Sequence, residues 1–158
     1  MKKNVYCAVC DDDEIVCDAI CNKISKILGK CGISARIDKY VSPLALYKNI
    51  SNCETGYDVL FLDIDMPRLS GIELAKELKK MSEPPDIIFV SNRDDLVFEC
   101  FSVRPFGFIR KNNFSNDLKD TLLAYISTRV MKSAFIAVTT NSNSVVQNIK
   151  AVSYTHLR

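Results

Sequence analysis

Apolar residues along this chain fall into two kinds of run. One kind is short and unbroken: Val5-Tyr6-Cys7-Ala8-Val9-Cys10, Val59-Leu60-Phe61-Leu62 and Ile87-Ile88-Phe89-Val90. Unbroken runs of this length suit strands of a parallel sheet that is covered on both faces. The other kind recurs every three or four positions. Ile15, Ala19, Ile20, Ile24, Ile27 and Leu28 predict a first helix, stopped by Gly29 and Gly32. The two kinds alternate. A first strand is expected over about Asn4 to Cys10 and a second over Ile33 to Tyr40. Ser42, as N-cap, and Pro43, at the first helical position, open a short second helix. Tyr57 to Leu62 reads as the third strand. A third helix from about Gly71 to Met81 places Leu74, Ala75, Leu78 and Met81 on one face. Its charges, Glu73, Lys76, Glu77 and Lys80, cover the other face as a solvated surface. Pro84-Pro85 breaks it before the fourth strand. Asp94 to Phe101 reads as a short fourth helix and Gly107 to Arg110 as a fifth strand. A fifth helix starts near Ser115, with Leu118, Leu122, Tyr125 and Ile126 on its apolar face. Such alternation implies a parallel sheet with right-handed crossovers.

Two of these strands run straight into carboxylates. Asp63 follows Leu62, at the strand end where open α/β sheets place their ligand sites. Pro67 and Gly71 frame the loop beyond it. Asp11-Asp12-Asp13 follow Cys10 in the same way. Two strands ending in carboxylates at one sheet edge make an oxygen-rich pocket. Such a pocket either repels itself or binds a hard cation such as Mg²⁺.

These features resemble the receiver domain of two-component response regulators, over roughly residues 3 to 127. The acidic pair after strand one is Asp11-Asp12, and Asp63 stands in the D-x-x-M-P setting that carries the phosphoacceptor in that family. Ser91 closes strand four, where the family has Ser or Thr. Lys111 ends Phe108-Ile109-Arg110-Lys111, where it has its Lys. Arg104-Pro105-Phe106 ahead of that strand is similar to the LytTR type. One departure is Asn112 after Lys111, where the family usually has Pro. The resemblance implies a flavodoxin-like (βα)5 fold with strand order 2-1-3-4-5, which sets strands one and three side by side and brings Asp11 and Asp12 to Asp63.

The resemblance also implies a mechanism. A sensor histidine kinase, or a small phosphodonor, passes a phosphoryl group to Asp63. Mg²⁺ is held by Asp12, Asp63 and the backbone carbonyl of Asp65, with Asp11 contacting it through water. Lys111 pairs with Asp63 at rest and with the phosphoryl group afterwards. Ser91 donates its hydroxyl, and Phe108 on strand five moves inward as the switch aromatic. The surface of helix four, strand five and helix five then favours a homodimer. The output is regulation of transcription rather than enzymatic turnover, with DNA bound only by the full-length parent protein. Simpler readings stand beside each role. Asp11 to Asp13 cap helix one, Asp65 is a turn residue, Ser91 a strand end, Lys111 a solvated lysine, and Phe108 a core residue.

An enzyme reading competes. Asp63-x-Asp65 is also the D-x-D of haloacid-dehalogenase-type phosphatases, with Asp63 as nucleophile and Asp65 as general acid. Pro67 stands where those sequences usually carry Thr or Val, and their motif normally lies on the first strand. Their later acidic pair should follow a strand, whereas Asp94-Asp95 falls in a helix.

Composition changes this picture little. The chain has 158 residues, 47% hydrophobic and 25% charged, and its net charge of +2 is too small to argue for a polyanionic partner. No apolar run reaches membrane-spanning length, and Met1-Lys2-Lys3-Asn4 leads into a strand rather than a signal peptide. A cytoplasmic protein without a membrane partner is expected. There are 7 cysteines. Cys7 and Cys10, three apart on a strand, point to opposite faces and do not easily share a metal. Cys17 and Cys21 share a helix face with Ile20 and Ile24 and read as small core or half-buried residues. Free thiols are expected in that compartment.

After about Thr128 the composition becomes β-rich. Ala134 to Thr139 and Val145 to Ile149 flank the turn cluster Thr140-Asn141-Ser142-Asn143-Ser144. This is similar to the opening hairpin of a LytTR DNA-binding domain. The expected layout is a receiver over 3–127, a linker over 128–133, the start of a truncated LytTR domain as a β-hairpin over 134–151, and a foreign tail over 152–158. That tail, Val152-Ser153-Tyr154-Thr155-His156-Leu157-Arg158, resembles the translation of a transposon-end adapter used in sequencing libraries; the alternative is a native strand or tail.

Overall fold

The computed structural model of the protein describes residues 4–52, 54 and 56–132. It contains a five-stranded sheet in the order β2-β1-β3-β4-β5, with every neighbouring pair parallel. The strands are β1 (Asn4–Cys10), β2 (Ser34–Tyr40), β3 (Val59–Leu62), β4 (Asp86–Ser91) and β5 (Gly107–Arg110). The helices are α1 (Glu14–Lys30), α2 (Pro43–Ser51), α3 (Gly71–Leu78), α4 (Val97–Cys100) and α5 (Phe114–Tyr125). This is the flavodoxin-like arrangement that the resemblance implies, with the parallel pairing expected from the alternation. The central strands β3 and β4 are buried almost throughout, and the edge strands β2 and β5 are half exposed. Only strands covered on both faces need an unbroken apolar run.

Local chemistry fixes the helix ends. Asp13 is the N-cap of α1, its side chain accepting from Ile15 N–H at 2.9 Å and Val16 N–H at 3.4 Å. At the other end Gly32 takes φ +71°, a left-handed conformation that favours glycine, and Ile33 N–H bonds back to Leu28 O at 2.9 Å. Ser42 caps α2, with Pro43 in its first turn. Ser70 and Glu73 form a capping box on α3.

Several boundaries differ from expectation. β3 begins at Val59, not Tyr57. At its entry the Asp58 carboxylate accepts from Tyr6 N–H (2.8 Å) and the Tyr57 hydroxyl donates to Asp38 (2.8 Å). α3 ends at Leu78, because Lys80 and Met81 N–H bond three residues back, to Glu77 and Leu78. Met81 consequently lies beyond the helix and is exposed. The expected helix over 94–101 is in fact a 3-10 turn (Asp94–Leu96), the single α-turn α4 and a second 3-10 turn (Phe101–Val103). None of the three has a side-chain cap, and only Cys100 and Val103 are buried.

The chain divides into two compact units, Met1–Leu122 and Leu123–Arg158. In the second, the described residues complete α5 and continue as a π-helical turn, Ile126–Val130. The hairpin expected over 134–151 and the tail over 152–158 lie outside the described residues. No helix among the described residues is long and apolar enough to cross a membrane.

Candidate functional site

β1 and β3 are neighbours in register, with Cys10 opposite Leu62. The residues that follow, Asp11 and Asp63, therefore leave the sheet at the same end. Their backbones are still tied to it: Asp63 N–H donates to Cys10 O (2.9 Å) and Asp11 N–H to Tyr40 O (3.2 Å). Asp11 is 1% exposed and Asp63 6%, whereas Asp12 faces solvent. One carboxylate oxygen from each of Asp11, Asp12 and Asp63 lies within 4.8 Å of the others. This all-oxygen set, two donors enclosed and one open, fits a hard divalent cation.

Lys111 reaches in from the end of β5. Its Nζ lies 2.6 Å from Asp11 Oδ2 and 3.4 Å from Asp63 Oδ2. The pairing expected with Asp63 is thus the longer of two contacts. Asp11 is the more enclosed carboxylate, so its attraction for the ammonium is the less screened by water. Each carboxylate spends its other oxygen on backbone: Asp11 Oδ1 accepts from Asp13 N–H (2.9 Å) and Asp63 Oδ1 from Ile64 N–H (2.8 Å). Burial pushes the Asp63 carboxyl above its usual range and the Asp11 charge adds to that, outweighing Lys111 and the Ile64 N–H. Burial works to lower the Lys111 ammonium, but its bond to Asp11 and the charges of Asp63 and Asp11 hold it above the usual lysine value. With three acids and one ammonium, the pocket is short of positive charge.

Ser91 ends β4 and is 1% exposed. Its Oγ accepts from Arg93 N–H at 3.2 Å, a bond that uses the oxygen and not the proton. Phe108 sits opposite Phe89 on β5, half-buried against the core that includes Cys10, Leu62, Met66, Cys100 and Val103. Asp65 lies in the β3–α3 loop. Its exposed carboxylate takes Arg93 Nη1 on both oxygens, at 3.1 and 3.2 Å. The phosphatase reading needs that carboxylate free to act as an acid on substrate, and this placement does not favour it.

Three participants escaped the sequence reading. Gly71 was legible only as the end of a loop. A Cβ there would lie 1.9 Å from the backbone oxygen of Asp63, so α3 starts in contact with the Asp63 peptide. Arg93 also holds Asp95 through Nε and Nη2, both at 2.9 Å, and so ties the loop after β3 to the loop after β4. Cys10 Sγ meets Met66 Sδ at 3.6 Å beneath the site. Cys7 and Cys10 are buried, and burial pushes both thiols up to about 12. They behave as small core residues, as does the buried Cys17, while Cys21 is half-buried.

Comparison with known proteins places these residues in context. Residues 7–123 match the family model of the response regulator receiver domain. The sensory transduction protein LytT of Bacillus subtilis is 35% identical over 68 residues, 43% of this chain and 28% of that protein. The positive alginate biosynthesis regulatory protein of Pseudomonas aeruginosa is 37% identical over 65 residues, 41% of this chain and 26% of that protein. The matched stretch therefore spans only about a quarter of these relatives' length. Among solved structures, the response regulatory domain of protein mrkE from Klebsiella pneumoniae superposes with a TM-score of 0.69 at 19% identity, covering 78% of this chain and 96% of that one. The receiver domain of NarL from Mycobacterium tuberculosis gives 0.64 at 20% identity, covering 80% and 99%. At such identities the two structures establish the fold.

Proposed function

This chain belongs to the response regulator receiver domain family, and on that premise we propose that it accepts a phosphoryl group on Asp63 from a sensor histidine kinase and relays the change to a transcriptional output. One observation carries the reading: a buried carboxylate at the end of β3 has one oxygen held by its own backbone and the other facing Lys111 at 3.4 Å.

Asp63 Oδ2 attacks phosphorus in line. A new O–P bond forms, the P–N bond to the donor histidine breaks, and the imidazole leaves with the electron pair and takes up a proton. A carboxylate is a weak nucleophile, so positioning and charge neutralisation carry the step. Asp12, Asp63 and the Asp65 backbone carbonyl would hold Mg²⁺, with Asp11 contacting it through water, and the ion would supply the neutralisation that the acid-rich pocket lacks. Lys111 already lies beside Oδ2 and transfers its pairing to the phosphoryl oxygens. Ser91 donates its hydroxyl to one of them. Phe108 moves inward behind it. The phosphoryl group, carrying roughly −1.5 to −2 in place of the carboxylate's single charge, biases the surface of α4, β5 and α5 toward a homodimer.

The regulatory names of the relatives support the transcriptional output, with DNA contacted by the full-length parent and the work done in the cytoplasm. On this reading 3–127 is the receiver, 128–133 a linker and 134–151 belongs to a LytTR-type domain.

Incubation with phosphoramidate or acetyl phosphate and Mg²⁺ should add a single phosphoryl group, labile to hydroxylamine. Asp63→Asn should abolish it. Equal labelling of that variant would overturn the assignment.

A further inference from the structure

Lys111 leaves the sheet with no rigid residue behind it. The next residue is Asn112, and Lys111–Asn113 form one 3-10 turn without a side-chain cap before α5 begins. An ammonium that must sit 2.6 Å from one enclosed carboxylate and 3.4 Å from another needs its backbone held.

What holds it is Asp117, in the first turn of α5. Its Oδ2 accepts from Arg110 N–H (3.1 Å) and Arg110 Nε (2.8 Å). Its Oδ1 accepts from Arg110 Nη2 (3.0 Å) and Asn113 Nδ2 (2.7 Å). Four donors thus converge on one carboxylate. They come from the residue just before Lys111 and from the last residue of its turn. The guanidinium engages both oxygens, a geometry that adds directional restraint to charge. The Asp117 side chain is 16% exposed and that of Arg110 50%, so the carboxylate end of the pair is partly withdrawn from water while the guanidinium is not. The clasp also starts from fixed backbone, because Arg110 is paired in the sheet with Ser91. Arg110 holds the Asp117 carboxyl well below the usual range, at about 2, so the clasp is charged at neutral pH.

We infer that Asp117 is a positioning residue: by clasping Arg110 and Asn113 on either side of Lys111, it sets where the Lys111 ammonium meets Asp11 and Asp63. This rests on the reading of Lys111 as the cation that serves phosphoryl transfer to Asp63.

The test is a four-protein cycle on the full chain: wild type, Asp117→Ala, Lys111→Ala and the double variant. Each is labelled with phosphoramidate and Mg²⁺, and the Lys111 side-chain ¹⁵N resonance is recorded where the lysine is present. A displacement of about 1 Å can cost about a hundredfold, so Asp117→Ala should label roughly ten- to a hundredfold more slowly in the wild-type background. It should cost nothing further in the Lys111→Ala background, and it should move the ¹⁵N resonance. Asp117→Asn, which keeps one acceptor oxygen, should recover part of the rate. A wild-type rate in Asp117→Ala overturns the inference. So does an equal loss in both backgrounds, which would mean a general loss of structure. If labelling of Lys111→Ala is too slow to follow, an unmoved ¹⁵N resonance in Asp117→Ala overturns it by itself. Undiminished labelling of an Asp63→Asn control would instead remove the functional reading beneath it.

Discussion

Helix α1 and the segment 94–103 both follow a strand that ends at the site, yet they are built differently. α1 runs 17 residues, is capped by Asp13 and closed by Gly32, and buries Cys17, Ile20, Ile24 and Leu28. Its cap is part of the site, since Asp13 N–H donates to Asp11 Oδ1. The carboxylates are therefore fixed to a long, well-packed element. The segment after Ser91 and Arg93 is three short turns without side-chain caps, and Phe98 stands 84% exposed. Opening free energy is not uniform across a fold, and elements with few buried contacts rearrange at least cost. The Asp11 and Asp63 side is thus tied to a long, packed element, whereas the segment 94–103 beyond Ser91 is the less restrained of the two. On the proposed function, a phosphoryl group drawing on Ser91 would act next to the weaker of the two.

The largest effects should fall where that contrast is sharpest. Ile24 is fully enclosed on the buried face of α1, and Ile24→Ala should cost about 2–5 kcal/mol. Phe98 touches Phe101 edge-to-face at 6.1 Å and little of it is covered, so Phe98→Ala should cost about 1 kcal/mol or less. Urea unfolding of the two variants beside wild type measures both. A Phe98→Ala loss matching that of Ile24→Ala would make the segment part of the core and break the comparison.

A smaller effect sharpens it on the Asp63 side. Gly71→Ala would bring a Cβ to 1.9 Å from the Asp63 backbone oxygen. Backbone cannot yield there without moving Asp63, so overpacking of about 1–3 kcal/mol is expected. Phosphoramidate labelling should slow together with it. Unchanged stability and labelling would show that the start of α3 gives way freely, contrary to a rigid Asp63 side.

The same contrast explains what the sequence reveals. β1, β3 and β4 are legible because burial on both faces demands continuous apolar runs, and Asp11, Asp12 and Asp63 are legible because they end such runs. Ser91, at the end of β4, and Lys111, just past β5, are legible only through the family resemblance. The break-up of 94–103 is not legible, since Leu96 and Val97 suggest a helix and only their partial burial tells otherwise. Gly71, Arg93 and Asp117 are hidden for a different reason. Each acts through a polar or backbone contact set by the fold, and such contacts leave no period along the chain. Asp117 in particular reads as an ordinary helix-surface acid until its four donors are seen.

The smallest effect separates two carboxylates by sign. Burial first, and then Asp11, raises the Asp63 carboxyl in the folded protein. At that group the folded state binds a proton more tightly than the unfolded state does. Its contribution to stability is therefore full below the ordinary carboxylate value and is lost as pH rises through the folded one. Asp117 is the reverse. Held down to about 2, it contributes above the ordinary value and fails only as pH falls toward about 2. In metal-free buffer with a chelator, Asp63→Asn should thus be more stable than wild type at neutral pH, because a mutually repelling charge is gone. That gap should narrow as acid protonates Asp63 in the wild type. Asp117→Asn should be less stable than wild type at neutral pH, with its gap closing only in stronger acid. Excess Mg²⁺ should favour wild type over Asp63→Asn by mass action, since the variant lacks one of the three carboxylates. Asp12→Ala should lose both that gain and phosphorylation. Urea midpoints across pH, with and without Mg²⁺, read all of this. A metal-free wild type as stable as Asp63→Asn at neutral pH would mean that Lys111 already balances the cluster, and that the pocket has no standing need of a cation.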